Sequence, residues 1–211
     1  MRLPAGGYHL PHMLEQRIQQ HFIDSADLKY QAAQALSKPI ADGVQALLAC
    51  VTSGGKVLAC GNGGSAADAQ HFAAEFVGRF ERERPELGAI SLCTDSSILT
   101  AIANDYDFNA IFSKQVRALG QPGDVLLAIS TSGNSANVLA AVHVAHERDM
   151  TVIALTGRGG GKIGQTLRET DVHICIPHER TARIQEVHLL TVHCLCDGVD
   201  TQLLGEQESP P

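Results

Sequence analysis

The sequence predicts an α/β fold in which a five-stranded parallel sheet is covered by helices on both faces. Short runs with strand character alternate with helical segments over most of the 211 residues, and such alternation is typical of a parallel sheet. Three of the runs are almost continuously apolar, as expected of strands that are buried on both faces. The five runs are residues 56–60, 89–92, 124–130, 151–157 and 172–177.

The helices are predicted from the spacing of apolar residues and from the residues that interrupt it. Residues 13–36 carry apolar side chains at intervals of three and four, which indicates an amphipathic helix. The Lys38-Pro39 pair predicts a break, so we expect a second helix from Ile40 to about Val51. Further helices are predicted at residues 66–80, 96–103, 109–119, 136–148, 162–168 and 181–204.

The chain has the length of one α/β domain with a helical extension. It shows no internal repeat and no long linker, so we expect a single domain from Met13 to residue 208. We expect residues 1–12 to be an extension ahead of this domain or a remnant of expression. Helices before the sheet and one long helix after it flank the predicted strands.

Composition restricts the possible partners. A net charge of −7 and an aromatic content of 4% without Trp argue against a nucleic-acid surface. No apolar stretch approaches the roughly 20 residues of a membrane span, and the first dozen residues lack the apolar centre of a secretion signal. The six cysteines form no CxxC pair, which favours reduced thiols. We therefore expect a cytoplasmic protein with neither a membrane nor a direct nucleic-acid partner.

Two predicted strands end in turns of small and polar residues that lead straight into helices. The first turn is Gly61-Asn62-Gly63-Gly64-Ser65, and the second is Ser-Thr-Ser-Gly-Asn-Ser at residues 130–135. Glycine lets the backbone approach a ligand closely, and the amides at a helix start favour an anion. Ligands of parallel sheets bind beyond the carboxyl ends of the strands, so both turns are candidate phosphate sites.

The two turns differ in how strongly they indicate a phosphate. The first lacks the third glycine of a dinucleotide fingerprint and the Gly-Lys of a P-loop. It fits a plain turn with Ser65 as helix cap as well as it fits a ligand site. The second has four hydroxyls in six residues, which is more than a cap requires, and we expect it to bind phosphate.

The helix after the first turn carries candidate catalytic groups. His71 and Glu75 are four residues apart and therefore share one helix face. The C-terminal helix adds Gln185, Glu186, His188 and His193. His71 and Glu75 suit a divalent metal but also an ordinary helix pair, and the residues alone leave both interpretations open.

Five segments, taken together and in order, resemble the phosphoheptose isomerase family of SIS (sugar isomerase) proteins. The segment ISTSGNS marks the wider SIS superfamily, whereas the complete set is far more specific. The resemblance covers nearly the whole chain from Met13 onwards. The segments are GNGGSAADAQHFAAEFVGRF, AIANDYDFN, DVLLAISTSGNSANV, ALTGRGGGK and ARIQEVHLLTVH.

This resemblance implies a three-layer α/β/α SIS fold, a homotetramer and the isomerisation of sedoheptulose 7-phosphate to D-glycero-D-manno-heptose 7-phosphate for lipopolysaccharide biosynthesis. It also implies that Glu75 is the catalytic base and His193 the catalytic acid of an enediol proton transfer. A divalent metal, expected to be zinc, is implied at His71, Glu75, Gln185 and His193. The implied substrate-binding residues are Asn62, Gly63, Gly64, Ser65, Glu75, Asn104, Asp105, Ser130, Thr131, Ser132, Ser135 and Gln185.

Spacing along the last helix adds one expectation. Gln185 and His193 are eight residues apart, about 12 Å along a helix, so their side chains meet only when both extend toward a midpoint. We therefore expect the site to draw on other elements, including those of a neighbouring subunit. The chain also has Ala182 where several relatives have Asp, which leaves the role of that acid open.

Two other roles compete with the enzyme. The protein that binds the initiator DnaA in replication shares this fold and resembles residues 181–197, but it lacks the catalytic pair that Glu75 and His193 provide here. A sugar-phosphate-sensing regulator usually carries a fused DNA-binding domain, and the N-terminal region here has no helix-turn-helix pattern. We therefore expect an enzyme, with DnaA as a partner only under the first alternative.

Overall fold

The computed structural model describes residues 11–205, in which α-helices alternate with five β-strands. The strands are β1 (Val57–Gly61), β2 (Ala89–Ser91), β3 (Val125–Ser130), β4 (Thr151–Gly157) and β5 (Val172–Ile176). The helices are α1 (Pro11–Thr52), α2 (Gly64–Val77), α3 (Ser96–Asp105), α4 (Ile111–Leu119), α5 (Ala136–Glu147), α6 (Gly161–Thr166) and α7 (Thr181–Leu204). Among the residues described, no helix is both long and apolar enough to cross a membrane.

All five strands are parallel, in the order β2-β1-β3-β4-β5. Leu58 in the middle of β1 lies between Ile90 of β2 and Leu126 of β3. The chain therefore winds outward from β1 in one direction and from β3 in the other. In such sheets the carboxyl ends of these two strands flank the crevice in which ligands bind. The predicted five-stranded parallel sheet is confirmed.

Helices cover both faces of the sheet, because alternate strand residues point to opposite sides. On one face, residues such as Leu127 and Ile153 pack with α1, α2 and α7. On the other face, residues such as Leu126 and Val152 pack with α4, α5 and α6. The central strands β1 and β3 are buried along their whole length, and this is why the sequence shows them as continuous apolar runs. The three-layer α/β/α fold is thus confirmed.

The predicted break at Pro39 is wrong, since α1 continues through it as one helix of 42 residues. Proline removes one backbone hydrogen bond and costs about 3 kcal/mol inside a helix. Apolar side chains are buried on both sides of Pro39, among them Leu36 and Leu47. Their burial outweighs this cost because each contributes about 1.5–3 kcal/mol.

The predicted domain limits extend beyond what the structure describes. Helix α1 begins at Pro11, two residues before the predicted start at Met13. Most of the predicted extension, residues 1–10, and the end of the predicted domain at residues 206–208 lie outside the described residues.

Candidate active site

The loops that follow β1 and β3 are joined by a reciprocal pair of amide side chains. Asn62 Nδ2 donates to Asn137 Oδ1, and Asn137 Nδ2 donates to Asn62 Oδ1, each at 2.9 Å. Asn137 is buried in the first turn of α5. Asn62, a predicted substrate-binding residue, is therefore held by a residue that the sequence analysis missed. The sequence feature that could have identified Asn137 is its polar amide in the first turn of a largely apolar helix.

The hydroxyl turn, residues 130–135, leads from β3 into α5. Ser130 Oγ lies 2.9 Å from Ser135 Oγ, and Ser132 Oγ accepts a hydrogen bond from the amide of Asn134 at 3.1 Å. Ser135 is the N-cap of α5, yet its side chain makes no capping hydrogen bond. Asn137 Oδ1 accepts a hydrogen bond from the amide of Val138 at 2.9 Å. The two amides before it in this 12-residue helix are not occupied by the cap, and together with the hydroxyls they suit a phosphate group.

A glycine-rich loop after β4 packs directly on the hydroxyl turn. Gly133 has φ +65° and lies so close to the carbonyl of Gly160 that a Cβ would overlap it. The amide of Ile163 donates to the carbonyl of Gly133 at 2.9 Å, and Gly157 packs against the carbonyl of Thr131. Glycine is thus required at position 133 both by its backbone angle and by its neighbours.

Helices α2 and α7 lie side by side and carry the predicted catalytic residues. At the start of α2, Gly64 packs against the side-chain amide of Gln185 so closely that a Cβ at Gly64 would overlap it. Further along, the rings of His71 and His193 have centroids 5.1 Å apart and planes at 75°. The first contact lies near the start of both helices, and the second lies about two turns further along each of them. Helices α2 and α7 are therefore parallel here.

His71, Glu75 and His193 gather at one point between these helices. His71 Nε2 lies 2.7 Å from Glu75 Oε1, and the two side chains are 37% and 21% exposed. His193 also packs against the ring of Phe80, with centroids 5.5 Å apart. The structure therefore brings the predicted base and the predicted acid to the same place through His71.

The residues predicted to hold zinc separate into two places. Three of them form the cluster at His71, whereas Gln185 lies at Gly64, about 10 Å away along α2. Imidazole nitrogens and a carboxylate oxygen are ligands that zinc prefers, so the donor chemistry of the cluster fits the ion. Within residues 11–205, however, no three His, Cys, Asp or Glu side chains converge as a metal site. His71 Nε2 and Glu75 Oε1 are hydrogen-bonded to each other, so an ion bound through these two atoms would replace that hydrogen bond.

Asp68 lies one turn before His71 on α2 and is a candidate that the sequence analysis missed. Burial raises the pKa of its carboxyl to about 6, and the nearby His71 partly opposes this rise. Its Oδ2 atom is buried and has no hydrogen-bond partner within the described residues. A carboxyl with a raised pKa beside candidate catalytic groups is itself a candidate functional group. The available signal was its spacing of three residues from His71 on the same helix.

The remaining predicted binding residues take different positions. Ser65 is buried in the first turn of α2, and Gly63 precedes that helix with φ +55°. Asn104 and Asp105 are exposed at the end of α3, where Asn104 Nδ2 donates to Asp105 Oδ1 at 2.8 Å. Within the described residues, no side-chain hydrogen bond joins these two residues to the hydroxyl turn or to α2 and α7. A single protomer thus leaves them apart from the cluster.

The hydroxyl turn lies at the crevice between the carboxyl ends of β1 and β3, and the cluster of two imidazoles and one carboxylate lies on the adjoining helices α2 and α7. Together these features define a protein of the sugar isomerase class. Residues 20–157 match the family model of the SIS domain. Curated relatives narrow the class further. The phosphoheptose isomerase of Methylibium petroleiphilum is 79% identical over 196 residues, which are 93% of this chain and 98% of that protein. The chain belongs to the SIS domain family and, within it, to the phosphoheptose isomerases.

Solved structures agree with this assignment. The phosphoheptose isomerase GmhA of Neisseria gonorrhoeae superposes with a TM-score of 0.85 at 57% identity, covering 89% of this chain and 99% of that one. A phosphoheptose isomerase from Francisella tularensis superposes with a TM-score of 0.86 at 46% identity, covering 88% and 97% of the two chains.

Proposed function

We propose that the protein isomerises sedoheptulose 7-phosphate to D-glycero-D-manno-heptose 7-phosphate, a precursor of lipopolysaccharide heptose. The observation that carries this proposal is the pairing of two features in a phosphoheptose isomerase homologue. One is the hydroxyl turn at the crevice between the carboxyl ends of β1 and β3, and the other is the cluster of His71, Glu75 and His193 between α2 and α7. The first suits the phosphate end of the substrate, and the second suits the end at which protons move.

The reaction moves one proton between the first two carbons of the sugar through an enediol. Glu75 removes the proton from C1 while His193 donates a proton to the carbonyl oxygen on C2, which gives the enediol. His193 then recovers a proton from the hydroxyl on C1, and Glu75 returns its proton to C2 to give the aldose. Both groups end in their starting states, so the sugar is the only molecule changed.

The phosphate is held by neutral donors. The protein carries a net charge of −7, and the hydroxyl turn itself contains no Lys or Arg. The buried Ser130 and the N-cap Ser135 share one hydrogen bond, and either hydroxyl is able to turn toward a ligand instead. Helix amides supply the positive end of the α5 dipole. This arrangement supports binding of the 7-phosphate at residues 130–135.

Zinc is proposed as the cofactor, held by His71, Glu75 and His193. Gln185, the fourth predicted ligand, lies on α7 beside Gly64, about 10 Å from this cluster along α2. When bound, zinc would polarise the sugar oxygens and stabilise the negative charge of the enediol. The support is the N and O donor set of the cluster and the contact between the two imidazole rings. An ion bound through His71 Nε2 and Glu75 Oε1 would replace the hydrogen bond between these two atoms.

We also propose a homotetramer that uses α1 and α7 at its interfaces. The first half of α1 exposes large apolar side chains, with Phe22 75% and Tyr30 78% exposed. Leu189 and Leu190 of α7 are exposed as well. Apolar surface of this extent on neighbouring turns of one helix favours protein association. A neighbouring subunit would also complete a site whose parts, Asn104 and Asp105 among them, lie apart in one protomer.

The alternative role as a DnaA-binding protein has no support among the relatives reported above, which are all named as isomerases. The deciding experiment is incubation of the purified protein with sedoheptulose 7-phosphate, with added zinc and with a chelator, followed by separation of ketose and aldose phosphates. We expect aldose phosphate to form with zinc and to decrease after chelation. Tight binding of DnaA without any isomerisation in the presence of zinc would contradict the proposal.

A further inference from the structure

The buried side chain of Arg84 closes the end of α2. It lies in the loop between α2 and β2 and is only 1% exposed. Its Nη2 donates to the carbonyl of Glu75 at 2.7 Å, and its Nη1 donates to the carbonyl of Phe76 at 2.9 Å. Carbonyls in the last turn of a helix have no partner within the helix, and a cation there is favoured by the helix dipole. Arg84 therefore holds the backbone of the residue that carries the catalytic carboxylate.

The same guanidinium also reaches α7. Arg84 Nε donates to Asp200 Oδ1 at 2.6 Å, and the Asp200 side chain is 4% exposed. Asp200 follows His193 by seven residues, which is two helical turns and returns to nearly the same face of α7. One side chain thus joins the turn of α2 that presents Glu75 to the face of α7 that presents His193.

We infer that Arg84 and Asp200 are positioning residues that set the separation of the catalytic base from the catalytic acid. The inference rests on the proposed isomerase function. The rings of His71 and His193 are in contact two turns from Asp200, so a shift at this ion pair displaces the two halves of the cluster against each other. Misplacement by about 1 Å is enough to cost about a hundredfold in rate.

Removing one partner of any buried ion pair destabilises a protein, so loss of stability alone does not test the inference. The chain offers a matched control in Lys56 and Asp124, whose Nζ and Oδ2 atoms lie 2.5 Å apart. Asp124 is 3% exposed, close to the value for Asp200. This pair joins the amino ends of β1 and β3, whereas the hydroxyl turn lies at the carboxyl ends of the strands.

The test compares Asp200→Asn and Arg84→Lys with Asp124→Asn. Asparagine keeps the size of Asp200 and an acceptor oxygen. Lysine keeps the charge of Arg84 but has one nitrogen in place of the three that donate hydrogen bonds here. For each folded variant we would measure the melting temperature, kcat, KM for sedoheptulose 7-phosphate and the affinity of the metal-free protein for zinc by titration calorimetry. We expect kcat to fall at least tenfold in both positioning variants, with KM changed less than threefold and zinc affinity reduced at least fivefold.

The control is expected to lose a similar amount of thermal stability while kcat and zinc affinity stay within twofold of the wild type. If Asp200→Asn and Arg84→Lys lose no more activity and zinc affinity than Asp124→Asn at a matched melting temperature, the pair is structural and the inference is wrong. A wild-type protein without isomerase activity would instead contradict the proposed function, and the inference with it. Since wild-type activity is measured first, the two failures are distinguishable.

Discussion

The imidazole of His193 lies edge-on to the imidazole of His71, with ring centroids 5.1 Å apart, and His71 in turn bonds to Glu75 at 2.7 Å. Two helices that are more than 100 residues apart in the chain therefore meet through three ionisable side chains. This contact is the reason for placing the proton transfer between α2 and α7.

Replacing Glu75 by Gln removes the base while keeping the size of the side chain. Activity on sedoheptulose 7-phosphate should fall by about 10²–10⁴-fold, which is typical for loss of a general base, while the sugar phosphate still binds. The measurement is kcat from steady-state kinetics together with substrate affinity from calorimetry. Glu147→Gln is the control, because Glu147 is exposed and, among the described residues, forms a salt bridge only with the exposed Arg117. Retention of more than a tenth of wild-type kcat in Glu75→Gln would assign the base to another residue.

Replacing His193 by Gln tests whether this residue binds metal. If His193 is a ligand, its loss should weaken zinc binding about tenfold or more, since loss of a residue that only hydrogen-bonds to a metal ligand already weakens binding by about 10–100-fold. Zinc affinity is measured on metal-free protein by competition with a chromophoric chelator. His143→Gln is the matched control, because His143 is exposed on α5 and belongs to no cluster described above. Equal zinc affinity in the two variants, together with a drop in activity only in His193→Gln, would assign His193 as an acid and not as a ligand.

The phosphate assignment is tested by Ser132→Ala. Loss of one hydrogen bond to a charged group costs about 1.5–3 kcal/mol, so kcat/KM should decrease about ten- to a hundredfold with little change in melting temperature. The control is Ser113→Ala, whose hydroxyl bonds only to the carbonyl of Ala110 at 3.3 Å. Unchanged kinetics of Ser132→Ala on the phosphorylated sugar would remove this residue from the phosphate site.

The proposed tetramer predicts that exposed apolar residues of α1 are buried by neighbouring subunits. We expect wild-type protein to scatter light as a tetramer at micromolar concentration, and the double variant Phe22→Ser/Tyr30→Ser to shift toward smaller species. Lys29→Ser, on an exposed polar position of the same helix, should leave the tetramer intact. A monomeric wild type under these conditions contradicts the assembly.

The buried His188 predicts a specific pH dependence of stability. Its Nε2 lies 3.0 Å from the carbonyl of Thr156, and burial lowers the pKa of its imidazole to about 4 from 6.5. The unfolded chain takes up a proton at this residue below pH 6.5 while the folded chain does not, so the free energy of unfolding falls between pH 6.5 and about 4. Removing the imidazole by His188→Gln removes this loss.

The measurement is denaturant unfolding of wild type and His188→Gln at pH 7.5 and pH 4.5. The destabilisation caused by the variant should be about 2–3 kcal/mol smaller at pH 4.5 than at pH 7.5, because the wild type loses about 1.4 kcal/mol for each of the roughly two pH units between the unfolded pKa of 6.5 and pH 4.5. His143→Gln, at an exposed position, should show the same difference from wild type at both pH values. An equal destabilisation by His188→Gln at both pH values would show that this histidine does not titrate as described.

Local pattern in the sequence was sufficient to predict the sheet and most helices. The buried strands β1 and β3 appear as continuous apolar runs, and α7 begins and ends at the predicted residues 181 and 204. Pro39 shows the limit of such reasoning. A proline inside a helix costs about 3 kcal/mol, but the side chains before and after Pro39 pack against distant parts of the chain, and this tertiary burial exceeds the cost.

The sequence by itself determined the fold class and the residue types of the candidate site, because strand burial and helix spacing are properties of neighbouring residues. Only the tertiary structure decided which of these residues meet. It paired Asn62 with Asn137, placed Gln185 at Gly64 away from His193, and set Arg84 between Glu75 and Asp200. Such contacts join residues from 9 to 121 positions apart, and they follow from the crossing of packed elements, which spacing along the chain does not encode.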